Sequence, residues 1–292
     1  MTFTKENFSW SYADDGNRIT FTFKGHAPVY FDATRPRVRQ WLRVRHAGGS
    51  MHEPIFAFVL AKLIEKIDPA VYFDIGGFLG YFTILPLALM RRQTRIYSFE
   101  MNKSSCDLFR DNLALNSHLA PSRVFLVNAG ISDQTQLNQA VWVKGFKLLP
   151  SGPNGGSNAN VDILSLDYIH DGLEISPDLI KMDIEGFEAP ALRGAEALLR
   201  KKRPVILFEL HSAAHLEPHG ETRVAVLERL KALGYTVLAV DGLRDRKELN
   251  DQPLIRAGSA SYDGFVAGEN SAFVAMPNEK LDLVSGLIAT TS

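Results

Sequence analysis

From Glu53 onward the chain sets apolar, β-rich runs at 71–75, 95–99, 124–128, 161–166, 179–183, 204–210, 235–241 and 270–276, with helical stretches between most of them. Such alternation has few ways to bury its apolar surface. Parallel strands need crossovers, right-handed crossovers lay helices on both faces, and the pattern therefore predicts an α/β fold on a mainly parallel sheet. The opening helix of this region is expected over 54–67. Residues 1–50 read differently: Arg18–Lys24 alternates polar and apolar after the turn residues Asp14–Asn17, and arginines at 35, 37, 39, 43 and 45 surround Val38, Trp41, Leu42 and Val44. A strand followed by a basic helix fits that stretch. The expected organisation is a small N-terminal β/α appendage over 1–50 and one large domain over 51–292, which 46% hydrophobic content in 292 residues can fill. Residues 134–160, centred on Ser151-Gly-Pro-Asn-Gly-Gly-Ser157, show no helical period and read as a long irregular insertion that shapes a binding pocket.

Charge narrows the partners. Lysine and arginine total 32 against 33 acidic residues, a formal charge of -1, so no global field favours nucleic acid. The arginine-rich segment 35–45 has as its ordinary reading a solvated face or a contact between copies in a homo-oligomer, against a grip on an anionic substrate or membrane surface. Cys106 is the sole cysteine and has no partner for an internal disulfide, and Met1–Tyr12 lacks a charged-then-apolar leader, so a cytoplasmic setting is expected. No apolar run reaches the roughly 20 residues of a spanning helix; Ile55–Ile67 is broken by Lys62, Glu65 and Lys66, and stable membrane insertion is not expected.

The sharpest local feature is Val71-Tyr-Phe-Asp-Ile-Gly-Gly-Phe-Leu-Gly-Tyr-Phe-Thr83, an apolar strand that runs through Asp74, Gly76, Gly77 and Gly80 into a helix. Glycines let a backbone turn tightly beside a ligand at the carboxyl end of a strand. A pyrophosphate at that helix N-terminus would be repelled by Asp74, which speaks against a nicotinamide dinucleotide. The sulfonium and amino group of S-adenosylmethionine are cationic and would be favoured there. Glu100 ends the run Ile96–Glu100 twenty residues beyond Gly80, where an acid can take both hydroxyls of a ribose.

These residues resemble the FkbM family of S-adenosylmethionine-dependent methyltransferases over roughly 50–277. The likeness rests on Phe73–Thr83, Tyr97-Ser-Phe-Glu-Met-Asn102, Asn128-Ala-Gly-Ile-Ser-Asp133, Leu164-Ser-Leu-Asp167, Ile180-Lys-Met-Asp-Ile-Glu-Gly-Phe-Glu188, Leu192-Arg-Gly-Ala195, Pro204–His211 and Asn270–Pro277. The resemblance implies a Rossmann-like, seven-stranded sheet with a final antiparallel hairpin and O-methylation of a small molecule, sugar or glycan. By position it implies that Asp74, Gly76, Gly77 and Gly80 line the methionine part, Glu100 the ribose, and Ser132 with Asp133 the adenine edge. It also implies that Glu53 lies near the cofactor and that Asn102 and Asp183 belong to the binding set. Two departures stand out: Gly77 occupies a place where the family often has alanine, and Pro86 falls inside the helix after the turn, which it should kink.

Methyl transfer to oxygen needs in-line positioning and removal of the acceptor's proton. Asp183 ends the run Leu179–Asp183, while Glu209 and His211 share one face of the next strand because side chains alternate. Three readings of this group stand open. His211 or Asp183 is a general base, the preferred reading; or the three hold a divalent cation, which is not favoured; or they are structural. Glu185 and Glu188 are divided between a functional part and service to a helix N-terminus. A metal site of His211, His215 and His219 is disfavoured by Pro218 and Gly220. Trp10, Trp41 and Trp142 read as packing residues. The rivals to an O-methyltransferase are an N-methyltransferase, a metal-dependent catechol-type enzyme, and a non-catalytic protein that keeps the cofactor pocket.

Overall fold

The computed structural model describes residue 4 and residues 8–45, 51–90, 94–144, 147–149, 157–243 and 249–289. Three antiparallel strands open the chain: β1 (Trp10–Asp14), β2 (Arg18–Phe23) and β3 (Val29–Asp32). The β1–β2 turn forms because Asp14 accepts the amide of Gly16 and Asp15 those of Asn17 and Arg18. The basic segment is helix α1 (Pro36–Arg45), whose Arg43 and Arg39 approach Asp14 at 2.5 and 3.9 Å, while Arg35 reaches Asp111 at 3.3 Å. Arg37's side chain and the rest of the predicted segment to residue 50 lie outside the described set.

Helix α2 (Pro54–Ile67) starts with Pro at its first position, where a missing N–H costs nothing, and is buried along most of its length. There follow β4 (Val71–Ile75), α3 (Tyr81–Leu89), β5 (Arg95–Phe99), α4 (Lys103–Leu115) and β6 (Val124–Val127), then β7 (Ala129–Ile131), β8 (Gln136–Lys144), β9 (Lys147–Leu149) and β10 (Ser157–Leu164). The remainder is β11 (Leu179–Met182), α5 (Glu188–Arg193), α6 (Glu196–Lys201), β12 (Val205–Leu210), α7 (Ala213–Leu216), α8 (Arg223–Ala232), β13 (Tyr235–Val240), β14 (Leu254–Ile255), α9 (Ala260–Ala267) and β15 (Ser271–Pro277).

The main sheet runs β14-β13-β15-β12-β11-β4-β5-β6, with β15 antiparallel to both its neighbours and β12, β11, β4, β5 and β6 mutually parallel. This is the Rossmann-like α/β architecture, and the two-residue β14 adds an eighth strand to the seven expected among the described residues. The chain leaves β4 towards β5 and β6 and returns on the other side to β11, so the crevice outside the β4 and β11 carboxyl ends is the switch point at which such sheets bind ligands. All residues of β4, β11 and β12 are buried, as crossover helices on both faces require. One apolar cluster joins Phe21 and Phe31 of the N-terminal sheet to Phe58, Tyr72 and Leu207, and a second joins Phe73, Met182 and Phe208 to Leu192, Leu198 and Leu227. Each such side chain is worth about 1.5–3 kcal/mol of burial, which pins the strand ends that carry the site.

One expectation is corrected. The described residues of 134–160 are not irregular: β8, β9 and β10 build a second sheet of order β7-β10-β8-β9, and the strand foreseen at 161–166 belongs there rather than to the main sheet. The stretch has no helical period, and cross-strand partners such as Trp142 and Asn158 pair it instead; the glycine-rich residues 150–156 lie outside the described set. Helix α3 carries Pro86 in its interior, as expected. The carbonyl of Phe82, which a residue other than proline would have bonded at that position, instead accepts the Tyr72 hydroxyl at 3.0 Å. Among the described residues no helix is long and apolar enough to cross a membrane.

Candidate active site

Beyond β4 the backbone turns through Gly76 and Gly80, with φ of 84° and 86°. A Cβ on Gly76 would lie 1.8 Å from the carbonyl oxygen of Asp183, so only glycine lets the turn rest against the end of β11. Gly76 and Gly77 donate to the Phe99 carbonyl at 2.9 and 3.0 Å, and the amide of Phe78 donates to Glu100 Oε2 at 2.9 Å. Glu100 Oε1 accepts the amide of Asn102 at 2.7 Å. The carboxylate thus ties the glycine turn to the end of β5, and each oxygen keeps a second lone pair. Burial pushes Glu100 up from the usual carboxylate range, against the two amides that stabilise its charge.

Asp74 does not line the crevice. It is fully buried, lies directly opposite Lys181 in the β4–β11 register, and meets that ammonium at 3.2 Å while Thr83 donates to its other oxygen at 2.6 Å. Lys181 also donates to the Gly76 carbonyl at 3.0 Å. Burial works against the ammonium, yet Asp74, Asp183 and Glu53 outweigh it and hold Lys181 above the usual lysine range. The pair neutralises itself beneath the glycine turn, so Asp74 fixes the turn's floor and offers no free charge to a ligand. A strand residue buried on both faces could not point into the crevice.

Other expected residues divide. Glu53 caps α2 from a left-handed backbone (φ 47°) and acts electrostatically on Lys181 and Tyr81, which brings it to the glycine turn. Asn102 is the N-cap of α4, its side chain accepting the Ser105 amide at 3.1 Å. Asp133 is held by Arg193 at 3.0 Å and the Ser132 hydroxyl donates to it at 3.2 Å, so both side chains belong to a surface network just beyond β7. Trp41 packs edge-on against Phe78 of the glycine turn, at 5.4 Å between centroids.

At the ends of β11 and β12 the structure does bring Asp183, Glu209 and His211 together. His211 is 1% exposed, and its Nδ1 bonds Glu188 Oε1 at 2.9 Å. Around its Nε2 stand Glu185 Oε2 at 3.7 Å, Glu209 Oε1 at 3.8 Å and Asp183 Oδ1 at 3.9 Å. Burial opposes the imidazolium, but Glu188, Asp183 and Glu209 prevail and raise His211 to about 9. An imidazole that is protonated at neutral pH has no lone pair to offer, so the Nε2 proton of His211 must leave before that nitrogen can act as a base or as a ligand. Glu188 is fully buried and also accepts the amides of Ile184 and Gly186 at 3.3 and 3.2 Å, which folds the 184–188 turn back onto the ring. Asn270 Nδ2 holds Glu209 Oε1 at 3.0 Å. Asp183 remains 30% exposed and Glu185 67% exposed, so these two face outward.

Sequence reasoning missed Lys181 as the partner of Asp74, Asn270 as the support of Glu209, and the grip of Glu188 on His211. Alternation places Lys181 opposite Asp74 once the strand order is known, whereas the Glu188 contact crosses a turn and left no periodic trace. His215 bonds Ser212 at 2.9 Å and His219 packs on Phe187 at 4.5 Å, so the three histidines do not share one site.

A glycine turn at the switch point of a parallel sheet, an acid at the end of the next strand, and β15 inserted antiparallel between β12 and β13 are the layout of the class I methyltransferase fold. Residues 74–264 match the family model described as Methyltransferase FkbM domain, a span covering most of the chain, and the protein belongs to that family. The crystal structure of Methyltransferase FkbM from Methylobacillus flagellatus KT is 18% identical at a TM-score of 0.45, over 70% of this chain and 43% of that one, so this chain spans less than half of its length. The O-methyltransferase from Bacillus cereus in complex with SAH is 14% identical at a TM-score of 0.44, over 84% of this chain and 91% of that one. SAH-bound methyltransferase PaMTH1 from Podospora anserina is 16% identical at a TM-score of 0.35, over 58% of each chain. No curated protein matches this chain.

Proposed function

We propose that the protein transfers the methyl group of S-adenosylmethionine to a hydroxyl oxygen of a small-molecule or glycan acceptor. The cofactor lies over the turn Gly76–Gly80, its ribose hydroxyls on the remaining lone pairs of Glu100, with Glu53 on the methionine side. The observation that carries the reading is the excess of acid beside that turn: four carboxylates, from Asp183, Glu185, Glu188 and Glu209, surround a single imidazolium. That excess attracts a sulfonium, the charge which the neutralised Asp74 cannot offer.

The same field supports oxygen over nitrogen as the acceptor atom. Neighbouring carboxylates favour the protonated form of an amine, which then has no lone pair to attack with, whereas a hydroxyl stays neutral and hydrogen-bonds to them. In the reaction the acceptor oxygen forms a bond to the methyl carbon as the carbon–sulfur bond breaks with its pair on sulfur, and the hydroxyl proton passes into the acidic cluster. In-line positioning by the rigid strand ends supplies a large share of the rate.

The test is incubation with isotope-labelled S-adenosylmethionine and cell extracts split into lipid, glycan and small-metabolite pools, followed by mass spectrometry. Label on a hydroxyl oxygen is expected, and label on nitrogen alone would refute the choice of acceptor atom. Calorimetry is expected to show S-adenosylhomocysteine binding and no NAD binding, with Glu100→Ala weakening the former by about 10–100-fold, the worth of hydrogen bonds to a charged group.

A further inference from the structure

The cage around His211 leaves one ring nitrogen without a bond. Nδ1 is fixed by Glu188, but Nε2, in a residue 1% exposed, has no hydrogen-bond partner among the described residues. Its nearest carboxylate oxygens stand at 3.7, 3.8 and 3.9 Å, too far for hydrogen bonds. Side chains that had settled on one another would have closed those gaps. Two ligand atoms each roughly 2.1 Å from a shared ion lie roughly 3.0–3.5 Å apart, so carboxylate movement on the order of an ångström or less brings the set to coordinating distance. One ligand atom each from Asp183, Glu209 and His211 already falls within 4.8 Å of the others. The supports are also those a ligand set needs: Glu188 on the far nitrogen of the ring sets its orientation, and Asn270 steadies Glu209.

We infer that Asp183, Glu209 and the Nε2 of His211 bind a divalent cation, with Glu185 on its outer side. One imidazole among carboxylates is a donor set for magnesium, manganese or a similar oxygen-preferring ion, and it lacks the thiolates that softer ions select. The ion's part in catalysis rests on the methyltransferase reading above. An acceptor hydroxyl fills an open coordination position, and the ion lowers its pKa. The hydroxyl proton leaves to the exposed Glu185 carboxylate and from there to water. The oxygen pair then forms the bond to the methyl carbon as the carbon–sulfur pair departs on sulfur.

Manganese titrated into the metal-free full-length protein, with free ion read from its paramagnetic resonance signal, tests the site without any acceptor. One ion per chain is expected, and Asp183→Asn and Glu209→Gln are each expected to weaken binding about tenfold or more with an unchanged thermal midpoint. No uptake at millimolar manganese, or equal uptake by wild type and both variants, overturns the site. S-adenosylhomocysteine titrated into the same metal-free protein separates the two ideas: cofactor binding without manganese uptake removes the ion and leaves the methyltransferase, while manganese uptake without cofactor binding keeps the ion site and strikes the methyltransferase reading.

Discussion

Two acids stand near the carboxyl ends of adjacent central strands of one sheet, and they do opposite work. Asp74 on β4 is closed off: it is fully buried, Thr83 donates to one of its oxygens, and the Lys181 ammonium beside the other neutralises it. Asp183, just beyond β11, opens on a cluster where four carboxylates face one imidazole and the charge is unbalanced. The register explains the division. Asp74 sits inside its strand with a lysine opposite, whereas Asp183 lies one residue past the last strand position, where the backbone leaves the sheet. A buried pair stabilises a shape; an unbalanced cluster at the surface of that shape is available for chemistry.

One substitution, aspartate to asparagine, should therefore give opposite results at the two places. Asp74→Asn leaves a buried lysine without its counter-charge and is expected to cost about 3–5 kcal/mol of stability, read from the urea midpoint. Asp183→Asn relieves like-charge crowding and is expected to shift that midpoint by no more than about 0.5 kcal/mol, while lowering turnover of the labelled acceptor by about 100-fold or more. Equal stability losses at both positions would break the contrast. Replacing the whole inner pair, Asp74→Asn with Lys181→Met, is expected to recover most of what the single change loses, because no isolated charge stays behind.

This contrast also marks how far the sequence could be read. Alternating runs placed β4, β5, β6, β11, β12, β13 and β15 to within a residue or two, and helix α2 was foreseen over 54–67, because burial imposes a period that single residues cannot hide. The meeting of Asp183, Glu209 and His211 was legible for a related reason: strand ends of a parallel sheet converge on one edge. What the sequence could not show was charge balance. Whether an acid is spent or free depends on the side chain across the ladder or the turn, and the partners of Asp74 and His211 lie 107 and 23 residues away. The same blindness hid the strands of the insertion, whose pairing depends on register rather than on a strong apolar period.

Gly77 sharpens the comparison at a smaller scale, because the floor of the closed site is packed as tightly as its charges are matched. A Cβ there would lie 2.1 Å from the Ser98 hydroxyl and 3.1 Å from the Phe109 ring. The space a methyl would take there is filled by Ser98, which stands opposite Asp74 in the β4–β5 register. Gly77→Ala is expected to cost about 1–3 kcal/mol by overpacking. Adding Ser98→Ala is expected to restore part of the loss and not all of it, since Phe109 still crowds the new methyl. A double-mutant cycle in urea measures that coupling, and additive losses would show that the hydroxyl is not the obstacle.

The smallest effect comes from a third ion pair, which separates geometry from burial as the source of strength. Arg203 grips Glu279 with two bonds, at 2.8 and 3.0 Å, a better fork than Lys181 makes with Asp74, yet Glu279 is 54% exposed. The Arg203 guanidinium holds Glu279 down from its ordinary 4.5 to about 2. A depressed carboxylate contributes stability that is fully present above its unfolded value and is lost as pH falls through the folded one, so the window runs from about 4.5 down to about 2. Solvent screening keeps the contribution below about 1 kcal/mol. Glu279→Gln should flatten the acid limb of the stability profile slightly in that window and leave neutral turnover alone, and the difference should shrink further as salt is raised. A loss at pH 7 as large as that of Asp74→Asn would mean that bond geometry, and not burial, decides which charge pairs hold this fold together.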